Sequence, residues 1–282
     1  MGRAGNIERR ANRQSNVSLR LQYGRYVRPY QQALMGGLIM KGKAMKNRIF
    51  SVDNPKAAKA QAFGWLNAIH YMAPHKLAGV GNLCPDASKT CPLLCLGQYS
   101  GAAIYYPSVI RSRIAKAKRF MRDRAAYMRD MTSAISAAYR KAQRDGFNLC
   151  VRPNGSTDIA WEGVNAGDGL SLVAAFPDIQ FTDYTKSLKR ALAHARGQFP
   201  SNYHLTFSHS ETNAAQCMHI LQAGGNVAVV FANGLPDRWN GFPVINGDLH
   251  DLRHLDPKGV VVGLSPKGPK AKRDQSGFVV RN

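Results

Sequence analysis

From residue 147 onward the chain alternates short apolar runs with stretches whose apolar positions recur at helical spacing. The runs at 147–152, 179–184, 203–209, 226–232 and 259–265 read as strands. The stretches at 168–176, 187–195 and 211–224 read as helices, the last closed by Gly224 and Gly225. Upstream, 55–73 opens on Pro55 and stops at Pro74, so it reads as a helix, and 76–81 as a short strand. Residues 107–144 predict one long helix. Its apolar stripe is Ile110, Ile114, Ala117, Met121, Ala125, Met128, Ile135 and Ala138, and Gly146 caps its end. Residues 233–254 form a polar excursion with room for a short helix. Strands alternating with helices imply right-handed βαβ units and a parallel sheet of six units. Either an open doubly wound sheet or a partial (β/α)6 barrel satisfies this pattern. In both, loops after the strands build the site, so 152–158, 183–187 and 208–211 should converge with the loop after 76–81.

Charge changes the picture next. The chain has 39 Lys and Arg against 17 Asp and Glu, a net charge of +22. Self-repulsion of that size points to a polyanionic partner. Residues 1–48 hold eleven cations and one acid, Glu8, and so carry +10 of the total. Within this arm Arg20, Arg25 and Arg28 alternate with Tyr23, Tyr26 and Tyr30, followed by Lys41 and Lys43. Guanidinium groups bind phosphate, and tyrosine faces stack on unpaired bases, which suits single-stranded nucleic acid. Arg111, Arg113, Lys116, Arg119 and Arg122 on the long helix, and Lys270, Lys272 and Arg273 in the tail, extend the candidate interface. Trp161 and Trp239 flank the strand-end loops as further stacking candidates. The expected division is a basic arm at 1–50, a β/α body at 51–265 and a basic tail at 266–282.

The stretch "NLCPDASKTCPLLCLGQ" places Cys84, Cys91 and Cys95 in one loop, in a chain of five cysteines. No apolar run is long enough to cross a membrane, and no apolar core follows the N-terminal arginines. A cytoplasmic protein without a disulfide framework is therefore expected. Thiolates clustered in a reducing compartment bind metal. Three on one loop suit an iron–sulfur cluster, a 4Fe–4S cluster above all, with a distant fourth ligand. Cys150, on a strand beside the strand-end loops, is the first choice for that ligand. Cys217, mid-helix, reads as a small buried hydrophobe. A zinc site of the three cysteines with His70 or His75 is the alternative. Asp158, Glu162 and Asp183 could hold magnesium or act as acid and base, or pair with Arg152 or Lys186. His250 and His254 stand four apart. No Walker, dinucleotide or Ser-His-Asp pattern occurs.

The residues "CPDASKTCPLLC", "RPNGSTDIAWEG", "FTDYTKS" and "YHLTFSHSE" resemble phage-encoded proteins of radical-SAM-like, iron–sulfur, single-stranded-DNA-binding type, over residues 76–265. The resemblance implies a partial (β/α)6 barrel with a basic N-terminal extension. It makes Cys84, Cys91 and Cys95 cluster ligands. It also implies binding of single-stranded DNA in viral replication or recombination, in the host cytoplasm and without a membrane. The cysteine spacing is longer than the CxxxCxxC of radical-SAM enzymes, and Leu94 replaces the aromatic residue before the last cysteine. "RPNGST" stands where a Gly-Gly-acid stretch would grip S-adenosylmethionine. A divergent radical-SAM enzyme acting on nucleic acid or a phage component is the alternative function.

Overall fold

The computed structural model describes residues 49–52 and 55–281, all within one unit, Asn47–Asn282. Arg20, Tyr23, Arg25, Tyr26, Arg28, Tyr30, Lys41 and Lys43 lie outside the described residues.

In chain order the elements are β1 (Phe50–Ser51), α1 (Pro55–Gln61) and β2 (Trp65–His70), then α2 (Leu96–Tyr99), α3 (Ala102–Tyr105), α4 (Pro107–Arg122) and α5 (Arg124–Asp145). Next come β3 (Asn148–Arg152), β4 (Asn165–Gly167), β5 (Leu170–Ser171), β6 (Gln180–Thr185), α6 (Leu188–Ala195), β7 (Tyr203–Ser208), α7 (Ala214–Gln222) and β8 (Asn226–Phe231). The chain closes with β9 (Arg238–Trp239), β10 (Phe242–Asn246), β11 (Val261–Leu264), α8 (Gly268–Lys272) and β12 (Val279–Val280).

The result is a mixed α/β fold around a ten-stranded sheet, in the order β1-β2-β3-β6-β7-β8-β11-β10-β9, with β12 also on β8. The strands from β2 to β10 in this order run parallel, and β1 and β9 add antiparallel edges. Five successive parallel strands are neighbours, so every crossover has the same sense and its helices fall on one face. That face is apolar. Leu66, Ala68, Leu149, Val151, Phe181 and Leu205 pack beneath Phe120, Tyr127, Met128, Met131 and Ile135 of α4 and α5. Phe207, Val227, Val229 and Val261 pack beneath Ala191, Cys217, Ile220 and Leu221 of α6 and α7.

The opposite face is polar. Strand register places Asn67, Cys150, Arg152, Thr182, Tyr184, His204 and Thr206 on it. The chain's own segment 250–256 covers part of this face. Asp251 pairs with Arg152 at 3.1 Å, Leu252 packs on Cys150, and the turn Arg253–Leu255 lies against β6 and β7.

Five expectations change. The strand expected at 76–81 is a series of turns, and the first parallel strand is Trp65–His70, inside the stretch that read as one helix. Gly64, at φ 79°, ends α1, and the buried run that follows has no exposed face to reveal its period. The long helix is two helices. Asp123 leaves helical geometry at φ −140° and its carboxylate caps Ala126 N at 2.9 Å. Residues 168–176 form no helix, because Gly167, Asp168 and Gly169, all at positive φ, turn a β4–β5 hairpin. The polar excursion contains a parallel strand, β10.

Candidate functional site

The cysteine loop leaves β2 and is fastened to the ends of three neighbouring strands. At β3, Gly155 N donates to His70 O at 2.8 Å and Ser156 Oγ to Met72 O at 2.6 Å. A Cβ on Gly155 would lie 2.5 Å from His70 O, so only glycine lets these two strand ends close up. Asp158 N donates to Leu83 O at 2.9 Å, just before Cys84. At β7, the Glu211 carboxylate accepts from Ser88 Oγ at 2.8 Å and from Thr90 N at 2.9 Å, just before Cys91. At β6, Lys186 N donates to Asp158, while its ammonium donates to His209 O at 2.9 Å. The convergence of 152–158, 183–187 and 208–211 on the loop is therefore present.

Cys84, Cys91 and Cys95 are half-buried and close enough that a charge on one raises the pKa of another. Burial is the larger cause. It pushes the Cys84 thiol up to about 12 and Cys95 up to about 11, and raises Cys91. Backbone N–H groups aim at the sulfurs: His75 N lies 3.2 Å from Cys84 Sγ, and the amides of Gly97 and Gln98 serve Cys95. Lys186 offsets charge at Cys91 and Arg113 at Cys95. Asp158 acts against charge on Cys84 and Cys91, and Glu211 against charge on Cys91, so the thiols are costly to ionise without a cationic body to supply the missing charge.

Cys150 stands elsewhere. It is fully buried on β3 beside Ala60 and Leu252, with the His254 ring 4.0 Å from its sulfur. The charges acting on it are Asp183, Asp251 and Arg152, not the loop thiols. Cys217 is buried in the apolar core. His75 bonds Gln98, and His70 bonds Tyr127 at 2.6 Å and Pro153 O, so neither is turned to the thiols. Among the described residues, no three His, Cys, Asp or Glu side chains are gathered around the single point that one ion would occupy.

Asp158 and Glu162 are committed to Arg190, a residue that no sequence motif singles out. Its guanidinium holds Glu162 bidentately at 2.6 and 2.8 Å and Asp158 at 2.8 Å. Asp183 accepts from Asn154 N, Asn154 Nδ2 and Tyr203 Oη, and burial pushes its carboxyl up to about 7. Trp161 is fully buried with its indole N–H on Asn154, so it cannot stack on a base. Trp239 packs edge-on against His209. His250 and His254 diverge, to Phe63 and Trp65 respectively.

The basic candidates separate by exposure. Arg111, Arg122, Lys270, Lys272 and Arg273 are exposed. Lys116 is buried, and its ammonium donates to Ile49 O at 3.2 Å. Arg113 lies 4.7 Å over the Tyr71 ring and donates to Gly97 O. Arg119 pairs with Asp130 at 2.6 Å.

The model of a phage-type family described as Gene product 88 matches residues 44–282. The chain belongs to the Gene product 88 family. The match takes in the cysteine loop, every strand of the sheet and the basic tail of this Gene product 88 chain. No curated protein and no solved structure matches it. Among the described residues no helix is long and apolar enough to cross a membrane.

Buried histidines set the acid response. Burial lowers His70 and His204 to about 3, and His194, His209 and His254 to about 4. Unfolded, each binds a proton below about pH 6.5, while the folded form does not, so stability is full above that pH and is lost toward pH 3–4. Asp183 and Asp256, raised to about 7 and about 6, and Asp158, also raised by burial, work in the opposite sense, but with His250 also lowered they are three against six. Urea unfolding is expected to show lower stability at about pH 5 than at about pH 7.5. Equal or greater stability at the lower pH would contradict this.

Proposed function

We propose that this Gene product 88 chain is an iron–sulfur protein that binds single-stranded nucleic acid, DNA in viral replication or recombination above all. One observation carries the nucleic-acid reading. Among the described residues the exposed cations far outnumber the exposed acids, which are Asp86, Asp123, Asp145, Asp168, Asp178 and Asp237. Asp158, Glu162, Asp183, Asp251, Asp256 and Asp274 are occupied by Arg190, Arg152, Arg253, Asn154, Tyr203 or nearby backbone. Arg111, Lys118, Arg122, Arg124, Arg129, Lys270, Lys272 and Arg273 are exposed. The excess of positive charge therefore lies on the surface, where it supports phosphate contacts with counterion release. Lys118, Met121 and Arg122 face Ala78–Val80 across a shallow cleft close to the cysteine loop, a fitting path for a backbone.

Cys84, Cys91 and Cys95 would hold the cluster. Zinc would need its thiolates within about 2.3 Å of one point. A cluster instead spreads its ligands around a larger body, and three thiols on one loop that influence one another suit that arrangement. When bound, the cluster supplies positive charge and cross-links the loop. Glu211, Asp158 and Ser156 hold that loop against the strand ends whatever the state of the metal. In this reading the consecutive parallel strands form a partial barrel of radical-SAM-like type.

The second reading, a divergent radical-SAM enzyme, draws on the polar face. Asn67, Thr182 and Thr206 are buried there with side-chain atoms that make no hydrogen bond, and a polar ligand would satisfy them. Segment 250–256 already covers part of that face, which favours the binding role.

Titration of a fluorescent oligonucleotide at several salt concentrations tests the proposal. Binding at low salt is expected to weaken steeply and log-linearly as salt rises. No binding at low salt, or salt-independent binding, would overturn it.

A further inference from the structure

The segment that follows the cysteine loop is unusual for its exposed bulk. Tyr105 is 75% exposed, Leu93 61%, Tyr106 61%, Leu96 47% and Ile104 43%. Large apolar side chains gathered in one stretch of surface mark an interaction site. This stretch is also stiff. Ile104 N bonds Gly101 O, Tyr106 N bonds Ala102 O, Ala103 is buried, and Pro107 starts α4 directly after Tyr106. The tyrosines therefore stand on a fixed knuckle rather than a loose loop.

Charge identifies the occupant. From Asp86 to Asp123 the chain contains no Asp or Glu, while Lys89 and Arg111 lie on either side of the knuckle. The tail helix α8 is seated against it, with Gly268 so close to Tyr99 that a Cβ would lie 2.3 Å from the Tyr99 carbonyl oxygen. This seating places the Lys270 ammonium 3.4 Å from the centre of the Tyr99 ring, with Lys272 and Arg273 exposed beside it. A second copy would bring cations against cations. A polyanion with exposed flat rings satisfies both the charge and the aromatic faces.

We infer that Tyr105 and Tyr106, with Leu96 and Ile104, form a stacking shelf for the unpaired bases of a single strand, its phosphates running toward Arg111 and toward Lys270, which Tyr99 holds in place. This rests on the nucleic-acid reading above and deepens it. The cations supply affinity for any nucleic acid, and the shelf supplies preference for unpaired bases, because bases within a duplex cannot reach it.

The test compares the full chain with Tyr105→Ala/Tyr106→Ala and Tyr105→Phe/Tyr106→Phe, using fluorescent oligothymidine and a duplex of equal length. The alanine pair is expected to bind the single strand about tenfold or more weakly, with an unchanged salt slope and nearly unchanged duplex binding. The phenylalanine pair keeps the rings and should bind like the parent. Cross-linking a bromouracil oligonucleotide to the unaltered chain should label a peptide containing residues 96–106. Salt-sensitive binding by the parent, with full single-strand affinity in the alanine pair or cross-links only elsewhere, overturns the shelf and leaves the cationic reading standing. A parent that binds no oligonucleotide overturns both. An alanine pair that changes only the oligomeric state assigns the patch to self-association and overturns the shelf.

Discussion

Serine at Cys84, Cys91 or Cys95, one at a time, is expected to strip most of the iron from the anaerobically purified protein and to lower its melting temperature. The three half-buried thiols share one loop, fastened to the strand ends at Leu83, Ser88 and Thr90. Serine at Cys217 should leave the iron in place, because that sulfur is buried in the apolar core beneath α7. Serine at Cys150 should also retain iron, since its neighbours are Ala60, Leu252 and His254. Iron assays on the five variants check this. Iron retained in any loop variant, or lost only at Cys150, would require a different ligand set.

Arg190→Met should be strongly destabilising. Arg190 and the two carboxylates it neutralises are each no more than 20% exposed at the side chain. Removing one partner of a buried ion pair costs about 3–5 kcal/mol, because the remaining charge is left without compensation. For a body of this size that is a fall of roughly 10 °C in melting temperature. The loss should also reach the cysteine loop, since Asp158 receives Arg190 through its side chain and holds Leu83 through its backbone. Glu162→Gln, which keeps a hydrogen-bond acceptor for the guanidinium, should cost much less. Thermal melts that place Arg190→Met within about 2 °C of the parent would show that the network does not hold the strand ends together.

How far the sequence reveals this arrangement depends on how each signal is carried. β3, β6, β7, β8 and β11 were legible because each is an apolar run bounded by turns. β2 was not, since "WLNAIHYMA" is buried on nearly every side and shows neither a two-residue nor a 3.6-residue period. β10 hid in a polar segment because its side chains are largely accessible and it contains Pro243. The hairpin at 165–171 had its signal in "AGDGLS", where Asp-Gly marks a tight turn, although the apolar run after it resembles a helix. The thiol cluster was visible because its members are close in sequence. Arg190 was not, because its partners lie far along the chain and only the parallel order of strands brings them together. Tyr105 and Tyr106 carry no sequence mark that separates an exposed ring from a core ring. Exposure decides it.

The most direct test of the account is iron and acid-labile sulfide content, measured on the full chain purified without oxygen. The account predicts about four of each per chain, with zinc well below one equivalent. Protein that is folded and binds oligonucleotide, yet carries neither iron nor sulfide, would contradict it.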